Sequence, residues 1–144
     1  MPVTSDPEAA LAAQLRGRGQ RVTSQRVLIH RALRELGRHA TAEEVLEAVH
    51  DRLPGVSLPT VYATLELLEE LDLVRRVSRA PHAALYDPRP EPHHHLVCTR
   101  CGRIEDFDLE LELGGAVRAA RRAGYRRTRS ELVVSGLCAA CADG

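Results

Sequence analysis

The chain has 144 residues, which is enough for one domain of ordinary size or for two small ones. At 44% hydrophobic and 28% charged, its composition is typical of a globular protein and excludes a disordered one. The formal net charge of zero excludes a global basic excess, although residues 1–40 hold seven arginines against three acidic residues. These arginine side chains can bind phosphate groups, or they can form a charged face that is exposed to solvent.

Two helices are predicted in the first quarter of the chain from their capping signals. Ser5-Asp-Pro-Glu8 reads as a capping box, with proline in the first turn, for a helix that runs to about Arg16. Thr23 can cap a second helix that runs to about Leu36, where Gly37 ends it.

Two further helices and a hairpin follow. Thr41-Ala-Glu-Glu44 is another capping box, and the helix after it breaks at Pro54-Gly55. A fourth helix starts near Ser57, and β-like runs at Leu73–Val77 and Ala83–Tyr86 predict a hairpin. Helices followed by a hairpin in this order are typical of a winged helix-turn-helix.

The second half of the chain reads as a small unit of strands around one helix. Asp87–Pro92 holds three alternating prolines, which exclude a helix or a central strand and predict a linker. We expect strands at His95–Val97, Arg103–Phe107 and Glu131–Val134, and a helix over Leu109–Ala123 interrupted by two glycines. The predicted fold class is therefore α+β.

All four cysteines fall in two C-x-x-C pairs. Cys98 with Cys101 and Cys138 with Cys141 can converge as a thiolate quartet on tetrahedral zinc, and Gly102 permits the sharp turn after the first pair. The alternatives are two disulfides or a dithiol redox switch. In a reducing compartment the spacing favours structural zinc.

A histidine tract precedes the first cysteine pair. His93 and His95 are two residues apart, so on an extended segment they face the same way, whereas His94 faces the other. Asp87 and Asp106 supply oxygen ligands near in sequence. A set of histidine and carboxylate ligands suits Fe(II), Mn(II), Co(II) or Zn(II). The alternative is a surface histidine tract that binds no metal.

Six stretches resemble the ferric uptake regulator (Fur) family of metal-dependent bacterial transcriptional repressors. They are RVTSQR (21–26), HATAEE (39–44), SLPTVYATLELLEELDLV (57–74), LYD (85–87), HHHLVCTRCGRIEDF (93–107) and GLCAAC (136–141). The resemblance covers nearly the whole chain in the family's order. It implies a winged-helix DNA-binding domain at 1–86, a proline-rich hinge at 87–92 and a dimerisation and metal-binding domain at 93–144. The expected partners are operator DNA and a second copy of the chain.

The resemblance also assigns ligands. It implies structural zinc on the four cysteines, and a regulatory Fe(II) or Mn(II) on His39, Asp87, His93, His95 and Asp106. A third metal site of some relatives would use His94, but its other positions hold Pro92, Leu113 and Ser130, so we expect that site to be absent. His30, His50 and His82 are interpreted as solvated.

Candidate DNA contacts follow from the helix after the tight turn, which can enter the major groove. The polar residues of its first half are Ser57, Thr60, Tyr62 and Thr64, and Tyr62 resembles the family's base-contacting tyrosine. Candidates for phosphate contact are Arg18, Arg21, Arg26 and Arg76.

Asp106 favours the peroxide-sensing (PerR-like) branch, where the resemblance implies oxidation of a ligand histidine, His39 or His93, and release of DNA. The alternatives are an iron- or manganese-uptake regulator and, less favoured, a zinc uptake regulator. Two other classes remain: a His/Asp metalloenzyme, and a zinc-stabilised module that binds only protein. Five protein ligands leave little room for a substrate, so we expect neither an enzyme nor a small-molecule substrate. No apolar run approaches membrane length and no signal-peptide pattern opens the chain, so we expect a soluble, cytoplasmic protein without membrane contact.

Overall fold

The computed structural model describes residues 6–79, 81–89, 91 and 93–143. In this part of the chain the elements are α1 (Pro7–Gly17), α2 (Ser24–Leu36), α3 (Ala42–Val49), α4 (Leu58–Glu70), β1 (Arg75–Arg79), β2 (His82–Asp87), β3 (His94–Cys98), β4 (Ile104–Phe107), α5 (Gly114–Arg122), β5 (Val133–Gly136) and α6 (Ala139–Ala142). They form an α+β fold. Among the described residues, no helix combines the length and the apolar character that crossing a bilayer requires.

The chain divides into two compact units. Unit 1 comprises Met1–Ser78 with Ala83–Pro90, and unit 2 comprises Arg79–His82 with Glu91–Gly144. Arg79 ends β1 and His82 begins β2, so the two-stranded sheet of β1 and β2 has residues in both units. Ser5, Pro90 and Pro92, which carry part of the first capping box and of the predicted hinge, lie outside the described residues.

Side-chain caps begin three of the four helices of unit 1 at the predicted residues. The Thr23 hydroxyl accepts the Arg26 amide at 3.2 Å and begins α2. Thr41 and Glu44 form the predicted capping box of α3, with Glu44 N–H to Thr41 Oγ1 at 3.1 Å. Ser57 caps α4. Each hydroxyl binds an amide that the helix itself leaves without a partner, so these starts were readable from sequence. In α1 the capping side chain is that of Asp6.

A largely aliphatic core joins the helices of unit 1, in a chain with one Phe, three Tyr and no Trp. Its buried members are Leu11, Leu15, Ile29, Ala32, Leu33, Ala40, Ala42, Val45, Val49, Val61, Leu65, Leu68, Leu71, Val74 and Tyr86. The apolar residues Val61, Leu65 and Leu68 lie on one face of α4 and are buried. Burial of this apolar surface, at roughly 25 cal/mol per Å², is the main stabilising contribution in unit 1.

The first strand of the hairpin is displaced from its predicted range, whereas β2 contains the predicted Ala83–Tyr86. Asp72 adopts a left-handed conformation at φ 59°, and the Leu73 amide donates to the Leu68 carbonyl at 2.9 Å, so residues 72–74 end α4 instead of starting a strand. Strand β1 therefore begins at Arg75, two residues later than predicted.

His30 is buried, which corrects the prediction that it lies on the surface of α2. Only 5% of its surface is exposed, and its Nδ1 has no hydrogen-bond partner among the described residues. Burial, with a smaller contribution from the nearby Arg34 cation, lowers the pKa of His30 to about 4. The neutral imidazole thus packs in unit 1 as a core side chain.

Acid should destabilise unit 1 through His30. The unfolded chain takes up a proton near pH 6.5 and the folded chain only near pH 4, so stability is complete above pH 6.5 and falls as the pH drops through this window. The full loss is on the order of 3 kcal/mol. We expect His30→Leu to flatten the dependence of urea unfolding between pH 7.5 and 5.5, whereas His50→Leu, at an exposed histidine, should not. Equal slopes for wild type and His30→Leu would contradict this account.

Unit 2 contains a three-stranded sheet in the order β4-β3-β5, in which β3 is antiparallel to β4 and parallel to β5. Strand β5 is Val133–Gly136, two residues later than predicted, because the parallel register places Cys98 opposite Gly136. That register was not readable from the local sequence.

Helix α5 begins at Gly114, so the predicted helical stretch Leu109–Leu113 is wrong. The Glu112 carboxylate accepts the Gly114 amide at 2.9 Å, and the preceding residues are not helical. Leucines alternate with acidic residues there at a period of two, which is not the helical period. The two glycines thus open α5, and α6 is an element that the sequence reading missed.

Unit 2 leaves much of its apolar surface in solvent. None of the described residues of α5, β5 or α6 is buried. Most of the large exposed apolar side chains belong to this unit: Leu96, Leu109, Leu111, Tyr125, Val133, Val134 and Leu137. Surface of this kind typically marks a contact with another protein chain.

Candidate metal centres and DNA-binding surface

The two cysteine pairs of unit 2 meet because of strand register. Cys98 ends β3, and its neighbour Gly136 ends β5 two residues before Cys138, which precedes α6. The Thr99 amide donates to the Gly136 carbonyl at 2.8 Å and fixes the strand ends together. Cys141, three residues after Cys138, returns toward the same point on the first turn of α6.

The four sulfurs converge. One ligand atom from each of Cys98, Cys101, Cys138 and Cys141 lies within 4.8 Å of the others, and the Cys101 and Cys138 sulfurs are 3.9 Å apart. All four are free thiols, which removes the two-disulfide alternative for the structure as it stands. Tetrahedral zinc with Zn–S bonds of about 2.3 Å places its sulfurs about 3.8 Å apart, so the donor set fits this ion.

The thiols of this cluster differ in acidity. Backbone amides of Cys101 and Cys138 donate to the Cys98 sulfur at 3.5 and 3.4 Å, and these bonds lower the pKa of Cys98 to about 5. The side-chain hydrogen bond with Cys138 raises the pKa of Cys141 to about 12. Four neighbouring sulfurs cannot all ionise in the absence of positive charge. A divalent cation would supply that charge.

Gly102 follows the first cysteine pair in a backbone conformation that residues other than glycine rarely adopt. Its φ is +75°, and its amide donates to the Cys98 carbonyl at 3.0 Å. A Cβ at this position would lie 2.8 Å from Cγ of His82 and 3.0 Å from Nη1 of Arg79, and Arg79 donates to the Gly102 carbonyl. His82 is therefore half-buried against Gly102, next to the first cysteine pair, which corrects the prediction that it is solvated.

A second ligand set in unit 2 consists of His93, His95 and Asp106. His95 and Asp106 are directly opposed across β3 and β4. The Nε2 atoms of His93 and His95 are 3.0 Å apart, and Asp106 Oδ1 lies 3.5 Å from each. Both imidazoles are buried, at 4% and 0% exposure, so the alternative of a surface histidine tract does not describe these two residues.

The tautomer of His93 suits metal binding. Its Nδ1 lies 2.9 Å from the Glu91 carbonyl, which can only accept, so Nδ1 carries the proton and Nε2 keeps its lone pair. For metal–ligand bonds of about 2.1 Å, ligands at right angles lie about 3.0 Å apart and tetrahedral ones about 3.4 Å. The three donor atoms therefore fit a divalent cation. His94, by contrast, faces away and accepts the Leu132 amide at Nδ1.

Unit 1 contributes a histidine–carboxylate pair. Ala40 and Tyr86 form an isolated antiparallel bridge, with N–H···O distances of 3.0 and 2.7 Å, and this bridge places His39 beside Asp87. Nε2 of His39 lies 2.9 Å from Oδ2 of Asp87, whose residue is 2% exposed. The Arg89 amide donates to the other carboxylate oxygen at 2.9 Å.

The predicted DNA-contacting residues of α4 lie in different environments. Ser57 is exposed, and its hydroxyl is 3.0 Å from that of the half-buried Thr60. Tyr62 is half-buried, and its hydroxyl donates to Oε1 of Glu43 at 3.4 Å. Thr64 is only 6% exposed on the core face of α4, so its predicted contact with DNA is wrong. Contact of Ser57, Thr60 and Tyr62 with DNA stays a prediction.

The predicted phosphate contacts are placed at the surface of unit 1. Arg18, Arg21 and Arg76 are exposed, and Arg26 is half-buried with its guanidinium donating to the Arg21 carbonyl at 2.7 Å. Arg21 and Arg26 line a cavity of about 830 Å³ between the start of α2 and helix α4. Arg75, next to Arg76, is 5% exposed and lies inside unit 1.

Known proteins match this chain over most of its length. The ferric uptake regulator family model matches residues 17–135. A ferric uptake regulation protein of Synechococcus elongatus is 33% identical, over 92% of this chain and 93% of its own length. A peroxide-responsive repressor PerR of Staphylococcus aureus is 30% identical, over 91% and 88%.

The fold is also similar to that of a solved structure. It aligns with the ferric uptake regulator Fur of Helicobacter pylori at a TM-score of 0.74 and 19% identity, over 100% of this chain and 99% of the other. The sequence match over residues 17–135 shows which family this chain belongs to. The chain belongs to the ferric uptake regulator family, whose members are metal-responsive transcriptional regulators and not enzymes.

Proposed function

We propose that this protein is a metal-dependent repressor that binds operator DNA as a homodimer in the cytoplasm. The observation that carries the proposal is the convergence of His93, His95 and Asp106, whose donor atoms lie 3.0 to 3.5 Å apart on buried imidazoles and a carboxylate. Two buried imidazoles that converge with a carboxylate are suited to hold a divalent cation.

A regulatory cation would draw ligands from both units. Unit 1 offers His39 and Asp87, and unit 2 offers His93, His95 and Asp106. Iron and manganese favour more ligands than either set alone contains, and both accept imidazole and carboxylate without thiolate. We propose that Fe(II) or Mn(II) is held by all five residues. Binding then favours the one arrangement of the units in which the two sets meet.

A second cation, Zn(II), is proposed for the four cysteines. Its role is structural, because four thiolates complete the coordination and leave no position for a substrate. The sulfur separations given above support this choice of ion.

Duplex DNA is the proposed partner of α4. The start of this helix, with the exposed Ser57 and the half-buried Thr60 and Tyr62, is suited to the major groove. The exposed Arg18, Arg21 and Arg76 are suited to phosphates. The surplus of positive charge in residues 1–40 supports the same surface.

A second copy of this chain is the proposed partner of unit 2. Leu96, Val133, Val134 and Leu137 are each 39 to 49% exposed on or after strands β3 and β5, which is more apolar surface than a small monomeric unit retains. Dimerisation would also supply two copies of α4 to a two-fold operator.

Binding of DNA should depend on metal. In a mobility-shift assay with duplexes enriched from a random-sequence pool, the Mn(II)-loaded protein should retard a duplex that the same protein does not retard after treatment with a chelator. Zinc bound to the four cysteines must be measured in both samples as a control, since losing it would unfold unit 2. Equal retardation with and without Mn(II) would exclude a metal-dependent repressor.

Within the family, we propose the peroxide-sensing branch. The aspartate at position 106 and the similarity to the S. aureus PerR support it, whereas the similarity to the S. elongatus protein supports iron regulation equally. Bound Fe(II) would supply reduction of peroxide, with oxidation of a nearby imidazole. Manganese would repress without this chemistry.

Peroxide should therefore add oxygen to a ligand histidine. After treatment of the Fe(II)-loaded protein, mass spectrometry of its peptides should show one added oxygen atom on His39 or His93 and none on the exposed His50. The Mn(II)-loaded protein is the matched control and should remain unmodified. If both His39 and His93 stay unmodified while the DNA is still bound in a metal-dependent way, an iron- or manganese-uptake regulator is the better assignment.

A further inference from the structure

We propose that Glu43 determines which base Tyr62 selects in DNA. The inference rests on the proposed function, since it requires that α4 enters the major groove. Glu43 lies in the first turn of α3 and is exposed, and its Oε1 accepts the Tyr62 hydroxyl at 3.4 Å. The pair connects two helices, 19 residues apart in sequence, inside unit 1.

The hydrogen bond fixes the polarity of the tyrosine. A phenol has one O–H donor and lone pairs that accept. A carboxylate at neutral pH only accepts, so the Tyr62 proton points to Glu43 and the lone pairs of the phenol oxygen remain for another partner. The neighbouring carboxylate also helps burial raise the pKa of Tyr62, so the phenol stays protonated in the neutral range.

An acceptor oxygen discriminates among bases. In the major groove, adenine N6 and cytosine N4 are donors, whereas guanine O6, guanine N7 and thymine O4 accept. With its proton held by Glu43, Tyr62 can bind the exocyclic amine of adenine or cytosine. It cannot donate to guanine or thymine without breaking the bond to the carboxylate. Glu43 is thus a positioning residue that acts through Tyr62.

The charge of Glu43 makes a role in packing alone a poor explanation. An exposed carboxylate beside a DNA-contacting side chain repels phosphate and lowers affinity for every sequence. Its Glu44 neighbour differs, because Glu44 closes the capping box with Thr41 and pairs with Arg38 at 2.6 Å. Glu43 shares with Glu44 only the favourable position of a negative charge in the first turn of α3, and its side-chain hydrogen bond is the one to Tyr62.

The test compares base preference among variants of the full-length, Mn(II)-loaded protein. A duplex enriched from a random-sequence pool on wild type is changed one base pair at a time, and dissociation constants are measured by fluorescence anisotropy at fixed salt. The variants are Glu43→Ala, Tyr62→Phe and the double variant. Glu47→Ala is the matched control, since it removes the same charge from an exposed position one turn further along α3.

At one position of each half-site, wild type should prefer an amine-bearing base by about three- to tenfold, the contribution of one hydrogen bond. Glu43→Ala and Tyr62→Phe should each remove this preference, and the double variant should lose no more than either alone. Glu43→Ala should at the same time bind the other duplexes more tightly, whereas Glu47→Ala should keep the wild-type preference.

Two results would overturn the inference. One is a preference that survives Glu43→Ala within twofold of wild type. The other is a pair of losses that add in the double variant, since additive effects mean that the two residues act independently. Failure of the wild type to bind any duplex would instead contradict the proposed function, and the two failures are thereby distinguished.

Discussion

Replacing Cys138 with serine is expected to unfold unit 2 while the helices of unit 1 remain folded. Serine is a good first residue for a helix, so the start of α6 is preserved and only the thiolate is lost. Binding of structural zinc contributes about 10–16 kcal/mol, which is as large as the whole stability of a typical domain. Unit 2 has little else to replace it, because α5, β5 and α6 bury no residue of their own.

Three measurements check this prediction. Bound zinc should fall from one per chain to near zero, amide exchange should become rapid in β3, β4 and β5, and the exchange of α2 and α4 should stay slow. Ser135→Ala, at an exposed position of β5, is the matched control and should keep its zinc. A Cys138→Ser protein that holds one zinc and unfolds at the wild-type midpoint would show that the four sulfurs are not a metal site.

The double replacement His93→Ala with Asp106→Ala should abolish the metal-dependent part of operator affinity. It removes two of the three converging donors of unit 2 and leaves the thiolate cluster and the hydrophobic core of unit 1 in place. Coupling between two binding sites is typically worth about 1–3 kcal/mol, so the Mn(II)-loaded protein should lose about 5- to 150-fold in affinity. The affinity of the metal-free protein should stay the same.

The matched control removes a histidine and an aspartate that are both exposed, His50 and Asp108. Isothermal titration with Mn(II) should show one regulatory site in that control and none in His93→Ala/Asp106→Ala. If the double variant binds DNA as tightly as wild type in metal-free and in metal-loaded samples, the regulatory role of this set is excluded.

Local chemistry explains which parts of the fold could be predicted from the sequence. The caps at Thr23, Thr41 and Ser57 depend on residues within four positions of one another, and all three were confirmed. The spacing of the cysteines likewise identified a group that the fold brings together. Such signals hold because few other structures satisfy the same backbone amides or gather the same thiols.

The errors came from contacts between distant residues. His30 and Thr64 are polar, and a polar residue on a helix is usually solvated, but both lie on core faces set by how the helices of unit 1 pack. The strand at Val133 was placed two residues early because its register depends on pairing with β3. The Leu109–Leu113 segment resembles helix in composition, and only the period of its leucines argues against it.

The residues proposed to bind the regulatory metal include both cases. The spacing of His93 and His95 predicted that they face the same way, and the 3.0 Å between their Nε2 atoms confirms it. The pairing of His39 with Asp87 depends on the Ala40–Tyr86 bridge between segments 46 residues apart, which no periodicity reveals. The resemblance to a family named both residues, and the bridge explains how they meet.

That bridge has a consequence for dissecting the protein. A fragment cut after Tyr86 would keep the hydrophobic core but would end one residue short of Asp87, leaving the imidazole of His39 without its anion. A fragment extended to Arg89 would also retain the amide that orients the carboxylate. A fragment of unit 1 that keeps this pair oriented therefore extends at least three residues beyond Tyr86, and it carries two of the five ligands proposed for the regulatory cation.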